Sequence, residues 1–384
     1  MRTFISILII SVLFAGCKKK ADPVPDYNCD CQPYGKNALS LLIKKGTSLY
    51  PYKDDKSRWG FIDENGTVVI AAAWAGSWSF SNNRAMVIED TYGVQYAGFI
   101  DATGAVVVPT KYRLIADAYY STEGLIPMGD VHTWLLGYID MTGRERVPFQ
   151  FANGSNFHEG LATIFLSYRA GAIDVNGNMV IPNKYLSMSI FSEGLAYANK
   201  SGEKRGYITP RDEYKFQGDF IDGTIFLNGM AAVDDPITEL IGFIDSTGQF
   251  IISPKFNEAG IFSEGLAGVK LNGKWGFINT SGNFAIPPQF EDVYVGFCNG
   301  LAPVKQNGQW GYIDRDGKMT IEPQFDDADI FYCNIALVLF TDGTFGYVNK
   351  AGKIVYRSKT PVKSKSGFKK MSNALHNYNI RIGI

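Results

Sequence analysis

The chain has 384 residues, with 37 lysines and arginines against 38 aspartates and glutamates, for a formal net charge of −1. A balance this close creates no general field for polyanions, so no nucleic-acid partner is expected. Aromatic residues make up 14% and glycines number 41, a profile of many short strands and tight turns in an all-β fold.

Residues 1–16 place Arg2 ahead of an apolar run from Phe4 to Ala15, too short for a permanent span, which reads as an export signal. The run closes on Leu13-Phe14-Ala15-Gly16-Cys17, which resembles a bacterial lipobox. The resemblance implies lipidation of Cys17 and a membrane held as a partner through that lipid anchor. Residues 17–47 open with Lys18-Lys19-Lys20 and carry Pro23 and Pro25, with little to bury, so they read as a tether. Similarity to lipoproteins of Gram-negative bacteria, with no acidic residue directly after the cysteine, implies the outer membrane and a periplasmic or surface-exposed protein.

Residues 48–356 repeat. An aromatic-glycine or glycine-aromatic step recurs along the chain, with lead glycines at 60, 98, 137, 171, 206, 242, 276, 311 and 346, at intervals of 34 to 39 residues, and units two to five lack the lead tryptophan. Periods of that length mark units that bury their apolar faces only against their neighbours. In residues 275 to 310, Trp275 to Asn279 reads as a strand, Thr280-Ser281-Gly282 as a turn, and Asn283 to Ile286 as a second strand stopped by Pro287-Pro288. A polar connection from Gln289 to Gly300 carries Phe290 and Phe297 as inward anchors, Leu301 to Lys305 is a third strand, and Asn307-Gly308 turns into the next unit. Each of about nine units is therefore expected to be a three-stranded antiparallel meander of about 35 residues. In the leading strand Trp310 and Tyr312 point one way and Gly311 and Ile313 the other, the glycine admitting a neighbouring backbone or ring. Trp59, Trp275 and Trp310 read as packing residues.

The chemistry-bearing residues are few. Asp63, Asp101, Asp140, Asp174, Asp245 and Asp314 each precede a turn, where an aspartate bonds its own backbone, so calcium is not needed to explain them. Glu123, Glu159, Glu193 and Glu264, in Glu-Gly-Leu steps, are expected to satisfy backbone donors. The three histidines, His132, His158 and His376, and the Cys29/Cys31 pair assemble no zinc set, and no metal or cofactor is expected. Cys298 and Cys333, 35 residues apart, are a possible disulfide between successive units. No nucleophile elbow, metalloprotease helix, phosphate loop or dinucleotide fingerprint is present, so no catalytic residue and no enzyme is expected.

The segments Lys274-Trp275-Gly276-Phe277-Ile278, Ile286-Pro287-Pro288-Gln289-Phe290 and Phe262-Ser263-Glu264-Gly265-Leu266-Ala267 closely resemble the bacterial WG-repeat, or KWG-repeat, family. The fifth unit departs from it, since Gly206-Tyr207-Ile208-Thr209-Pro210 lacks the turn acid. The resemblance implies a β-rich repeat domain on exported proteins and carries over no catalytic residue. Two architectures fit: an elongated or superhelical β-array, favoured because 35 residues leave room for three strands, and the alternative, a β-propeller, whose blades usually have four. Leu49 to Tyr52 resembles a third strand and Gly346 to Val355 the first two, so together they could close a ring. Residues 357–384 form a basic tail or cap with seven basic and no acidic residues, suited to solvent, to anionic lipid, or to capping the last unit. The function expected is non-enzymatic binding or scaffolding of protein partners, with a cell-envelope glycan as the alternative ligand. The aromatics off the repeat positions, Trp78, Tyr119, Tyr120 and Trp134, are the candidate ligand-binding residues.

Overall fold

The structure, a computed structural model, describes residues 49–80, 83–114, 123–294, 296–362, 368 and 382–383. The expected export signal, the tether and Cys17 lie outside the described residues.

Nine small antiparallel sheets follow one another along the chain. The blade after Phe290 shows the pattern. Its strands, in sheet order, are Asp292–Val293, Ala302–Gln306, Gln309–Ile313 and Met319–Phe325. Asn307 and Gly308 join the second and third strands at φ of 53° and 77°, the two left-handed positions of a type I′ turn. Asp314 starts the next turn, where its Oδ1 accepts the N–H groups of Asp316 at 3.0 Å and Lys318 at 2.9 Å. Equivalent acids do the same from Asp63 to Asp245, as a turn aspartate should. The outer strand alternates, burying Ile321 and Phe325 while its other side meets solvent.

The glycine of the Trp-Gly step is set by that outer strand. Trp310 pairs with Phe325 and Tyr312 with Ile321, so two steps of the third strand face four of the outer strand. The surplus forms a bulge at Glu322-Pro323-Gln324 that folds onto Gly311. A Cβ there would lie 2.5 Å from the Ile321 carbonyl oxygen and 2.8 Å from the Pro323 nitrogen. Proline suits the bulge because no ladder donor is required of it. The same register shift recurs in blades 1, 2, 3, 4, 6 and 7. Blades 5 and 9 have no proline in the outer strand, and their pairing keeps closer step.

Of the two architectures, the ring forms: the molecule is a nine-bladed β-propeller, and the open array favoured by unit length is not what the chain adopts. The unit is also not a three-stranded meander. Its polar connection contains a fourth strand of only two residues, such as Asp292–Val293 or Asn153–Gly154, at the edge opposite the seven-residue outer strand. Such wedges leave the short strand on the inside of the ring, where circumference is least. Among the described residues, blades 1, 3 and 6 show three strands each. Trp275 and Trp310 are buried at 2% and 6% exposure, in cores shared between consecutive blades.

The seam between blades 9 and 1 is built like the other joints. Tyr312 donates its hydroxyl to the Asp329 carbonyl of the next blade at 2.7 Å, as Tyr207 does to Thr224 at 2.6 Å. Across the seam Tyr347 reaches the Pro51 carbonyl at 2.9 Å and Tyr50 reaches that of Tyr332 at 3.3 Å. Trp59 stacks on Phe345 with ring centroids 6.0 Å apart. Phe368, from the tail, is buried in the same cluster, against the core that holds Tyr347.

Replacing Gly276 by Ala should destabilise the protein by about 3 kcal/mol, because the new methyl would meet the Ile286 carbonyl at 2.6 Å and the Pro288 nitrogen at 2.7 Å. Chemical denaturation reads this directly, and an unchanged midpoint would refute the bulge-on-glycine account.

Candidate functional site

In a propeller the turns between second and third strands share one face, and those between first and second and between third and fourth share the other. Regular blades carry Asn-Gly on the first face, at Asn272-Gly273 and Asn307-Gly308, all four residues at positive φ. Blades 2, 3 and 4 instead carry an aromatic residue at a left-handed position of this turn. Blade 2 turns through Tyr92-Gly93, with Tyr92 at φ 55° and fully exposed. Blade 4 turns through Ser167-Tyr168, at φ 49° and 62°, with Tyr168 97% exposed in the place that glycine takes elsewhere. A left-handed conformation costs a residue with a Cβ about 1–2 kcal/mol. No burial compensates at either tip, which makes them strained positions with no reason inside the fold.

Blade 3 carries a longer turn, from Asp130 to Leu135. The N–H of Trp134 donates to the Asp130 carbonyl at 3.1 Å, and the Asp130 carboxylate accepts the N–H of Thr133 at 2.7 Å and its hydroxyl at 2.8 Å. Those bonds, the Thr133 N–H first, hold the Asp130 carboxyl below its usual range. Trp134 sits at φ 64° and is 64% exposed. Arg113 lies over its ring, 4.3 Å from the centroid, and donates from Nη2 to the Trp134 carbonyl at 3.1 Å, so the indole is held from one side. Blade 6 repeats this turn with Glu239 where blade 3 has Trp134, and raises Ile237 to 90% exposure on the same face.

Of the residues singled out from sequence, Trp134 lies on this face. Trp78 does not: it is half-buried after the inner strand of blade 2, packed on the core of Met86, Ile88 and Ala97. Tyr119 and Tyr120 lie outside the described residues. Tyr92 and Tyr168 were missed. Their signal was present in Thr91-Tyr92-Gly93-Val94 and Ser167-Tyr168-Arg169, aromatic residues in the slots that other units fill with Asn-Gly.

The opposite face is structural. Glu123, Glu159, Glu193 and Glu264 occupy the first left-handed position of the inner turns, at φ between 51° and 54°. Each reaches the following blade. The Gly160 N–H donates to Glu123 at 3.0 Å, the Glu193 and Gly194 N–H groups to Glu159 at 2.7 and 2.8 Å, and the Gly229 N–H to Glu193 at 2.9 Å. Glu264 serves Gly300 in the same way, at 3.2 Å. These carboxylates satisfy backbone donors, as the sequence suggested, and among the described residues no three His, Cys, Asp or Glu side chains gather into a metal-binding group.

The residue before each of these acids also binds the next blade. Ser192 and Ser263 donate to the carbonyls of Phe226 and Phe297 at 2.7 and 2.6 Å. Blade 4 has His158 in that position, where burial lowers its pKa from 6.5 to about 4. Cys298 holds the same position in blade 8. Cys333 does not: at φ 57° it takes the place of Asn299 and Glu264, so the 35-residue spacing hides a shift of one residue. Both sulfurs are buried and disulfide-bonded.

A family profile described as "WG containing repeat" matches residues 59–90, 137–166, 171–203, 241–275, 275–310 and 310–343. Among curated proteins no match is found. A crystal structure of the eukaryotic initiation factor aligns with a TM-score of 0.57 at 11% identity, covering 82% of this chain and 96% of that one. BamB from Moraxella catarrhalis aligns with a TM-score of 0.40 at 12% identity, covering 73% and 92%. At these identities the likeness to the initiation factor is one of fold alone.

The burial of His158 predicts a pH dependence. Between pH 6.5 and about 4 the unfolded chain holds a proton that the folded imidazole refuses, so stability is full above pH 6.5 and declines as pH falls towards 4. Melting curves across that window should flatten in His158→Ser, with a difference on the order of 3 kcal/mol at the acid end. Equal slopes in the two proteins would contradict the assignment.

Proposed function

The chain belongs to the WG-repeat family, and on that premise we propose that it is a non-enzymatic binding or scaffold protein that docks an envelope protein on the face carrying Tyr92, Trp134 and Tyr168. The observation that carries this reading is the strain at those tips. Tyr92 and Tyr168 sit exposed at left-handed positions where Asn and Gly would hold the same turn at lower energy, and Trp134 stands exposed on the blade between them. Tyrosine and tryptophan are also the residue types that anchor interfaces, since one rigid ring supplies much contact area. In the same proposal the protein is a lipoprotein held by Cys17 at the outer membrane of a Gram-negative bacterium, in the periplasm or on the surface. The lipobox-like segment supports that part.

A glycan is the second reading. It is favoured by one feature, the exposed indole of Trp134 backed by Arg113, because sugar rings stack on flat aromatic faces.

Tyr92→Asn and Tyr168→Gly together should raise stability by about 1–2 kcal/mol, since both relieve left-handed strain. The same double variant, with Trp134→Ala added, should lose the partner that the wild type captures from solubilised envelopes, while neither protein binds a glycan array. Capture unaffected by the triple change would remove this face from the reading. Saturable sugar binding that disappears with Trp134→Ala would replace the protein partner with a glycan. Acyl labelling that survives Cys17→Ala would defeat the anchor.

A further inference from the structure

The inner strands divide the ring electrostatically. Along blades 6 to 9 their segments carry Asp222, Glu258, Glu291, Asp292, Asp326, Asp327 and Asp329, with no basic residue among them. Those of blades 2, 4 and 5 carry no charge, and the described part in blade 3 is Arg113, bridged to Gly129. Glu258 pairs with Lys270 at 2.6 Å and Asp327 and Asp329 are buried, and the inner segments of this arc still carry an acidic excess. The chain leaves blade 9 from its outer strand, Ile354–Arg357, and continues into residues 357–384, with seven basic residues and no acidic one.

Two contacts show where this segment goes. The Val362 N–H donates to the Gly343 carbonyl at 2.9 Å, and Phe368 is buried in the seam of blades 9 and 1. Farther on, Ile382–Gly383 forms an antiparallel strand on the inner strand of blade 7, Glu258 opposite Gly383 and Ala259 opposite Ile382. The inner strand has a neighbour on its outer side only, so its other edge offers backbone groups to any extended segment. Blade 7 thereby becomes a five-stranded sheet.

We propose that the acidic arc of the central channel is the docking site of the chain's own basic C-terminal segment, which adds its last residues as a strand to the inner edge of blade 7. The contact does not depend on the aromatic face. Opposite charge draws the segment to blades 6–9, and strand addition fixes its register. Phe368 still caps the last unit, as one of the sequence expectations had it, and the strand on blade 7 lies beyond that cap.

The test uses amide hydrogen exchange on three proteins: the full chain, a chain ending at Met371, which keeps Phe368, and the full chain with Lys363, Lys365, Lys369 and Lys370 changed to Glu. Exchange at Glu258–Ala259 should be at least about tenfold faster in both variants, while the second strand of blade 7 around Val269 is unchanged. A peptide of residues 369–384 added to the shortened chain should restore protection at low salt and fail to at high salt. Equal exchange at Glu258–Ala259 in all three proteins would overturn the proposal. Equal exchange together with binding of the full but not the shortened chain to phosphatidylglycerol vesicles would assign the tail to a lipid surface instead.

Discussion

The contact on which the ring depends is the one between the bulged outer strand and the glycine of the Trp-Gly step. Folding two surplus residues onto Gly311 or Gly276 brings backbone to within the space of a methyl group. That closeness lets the flanking Trp and Phe pair directly across the strands, Trp310 with Phe325, and join one core with the next blade. The glycine and the bulged outer strand thus act as one unit, with Trp or a smaller apolar residue before the glycine. Proline is not essential to the surplus, since blade 1 bulges without one, whereas blades 5 and 9 lack both.

The joints between blades are made from three repeated bonds, a tyrosine hydroxyl, a turn glutamate and a serine, each reaching backbone in the next unit. Burial pushes the ionisation of Tyr207, Tyr312 and Tyr347 far up, so these hydroxyls stay neutral donors. The seam uses the tyrosine bond again at Tyr347 and adds Phe368 from the far end of the chain. Strain enters at the inner turns, where glutamate stands at positive φ, and there a bond to the neighbouring blade offsets it. The aromatic tips of blades 2 to 4 have strain of the same kind. For Tyr92 and Tyr168 burial offers nothing to offset it, and this contrast separates building residues from recognition residues.

Much of this was legible in the sequence. The period, the Asn-Gly hairpins, the self-bonding turn aspartates and the backbone-binding glutamates follow from local chemistry that a single unit contains. The two-residue inner strand did not, because a pair such as Asp292–Val293 has no periodicity to detect, and without it a 35-residue unit looked too short for a blade. Trp134 stood out as an aromatic off the repeat positions. Trp78 did too, yet the irregular blade 2 half-buries it against Met86 and Ile88, which no spacing rule anticipates. Tyr92 and Tyr168 carry no mark in composition or spacing, because their meaning lies in the left-handed conformation of the turn.

Closure of the ring is what sets the three tips side by side on one face and the acidic inner strands on one arc. The direct measurement is a spin-label distance between Glu64 in blade 1 and Asn334 in blade 9, side chains that hydrogen-bond at 2.8 Å across 270 residues of sequence. A closed ring predicts a single short distance near the lower limit of pulsed dipolar methods. Nine sheets stacked in an open array would separate the labels by on the order of 80 Å, and a distance of that size would contradict the account.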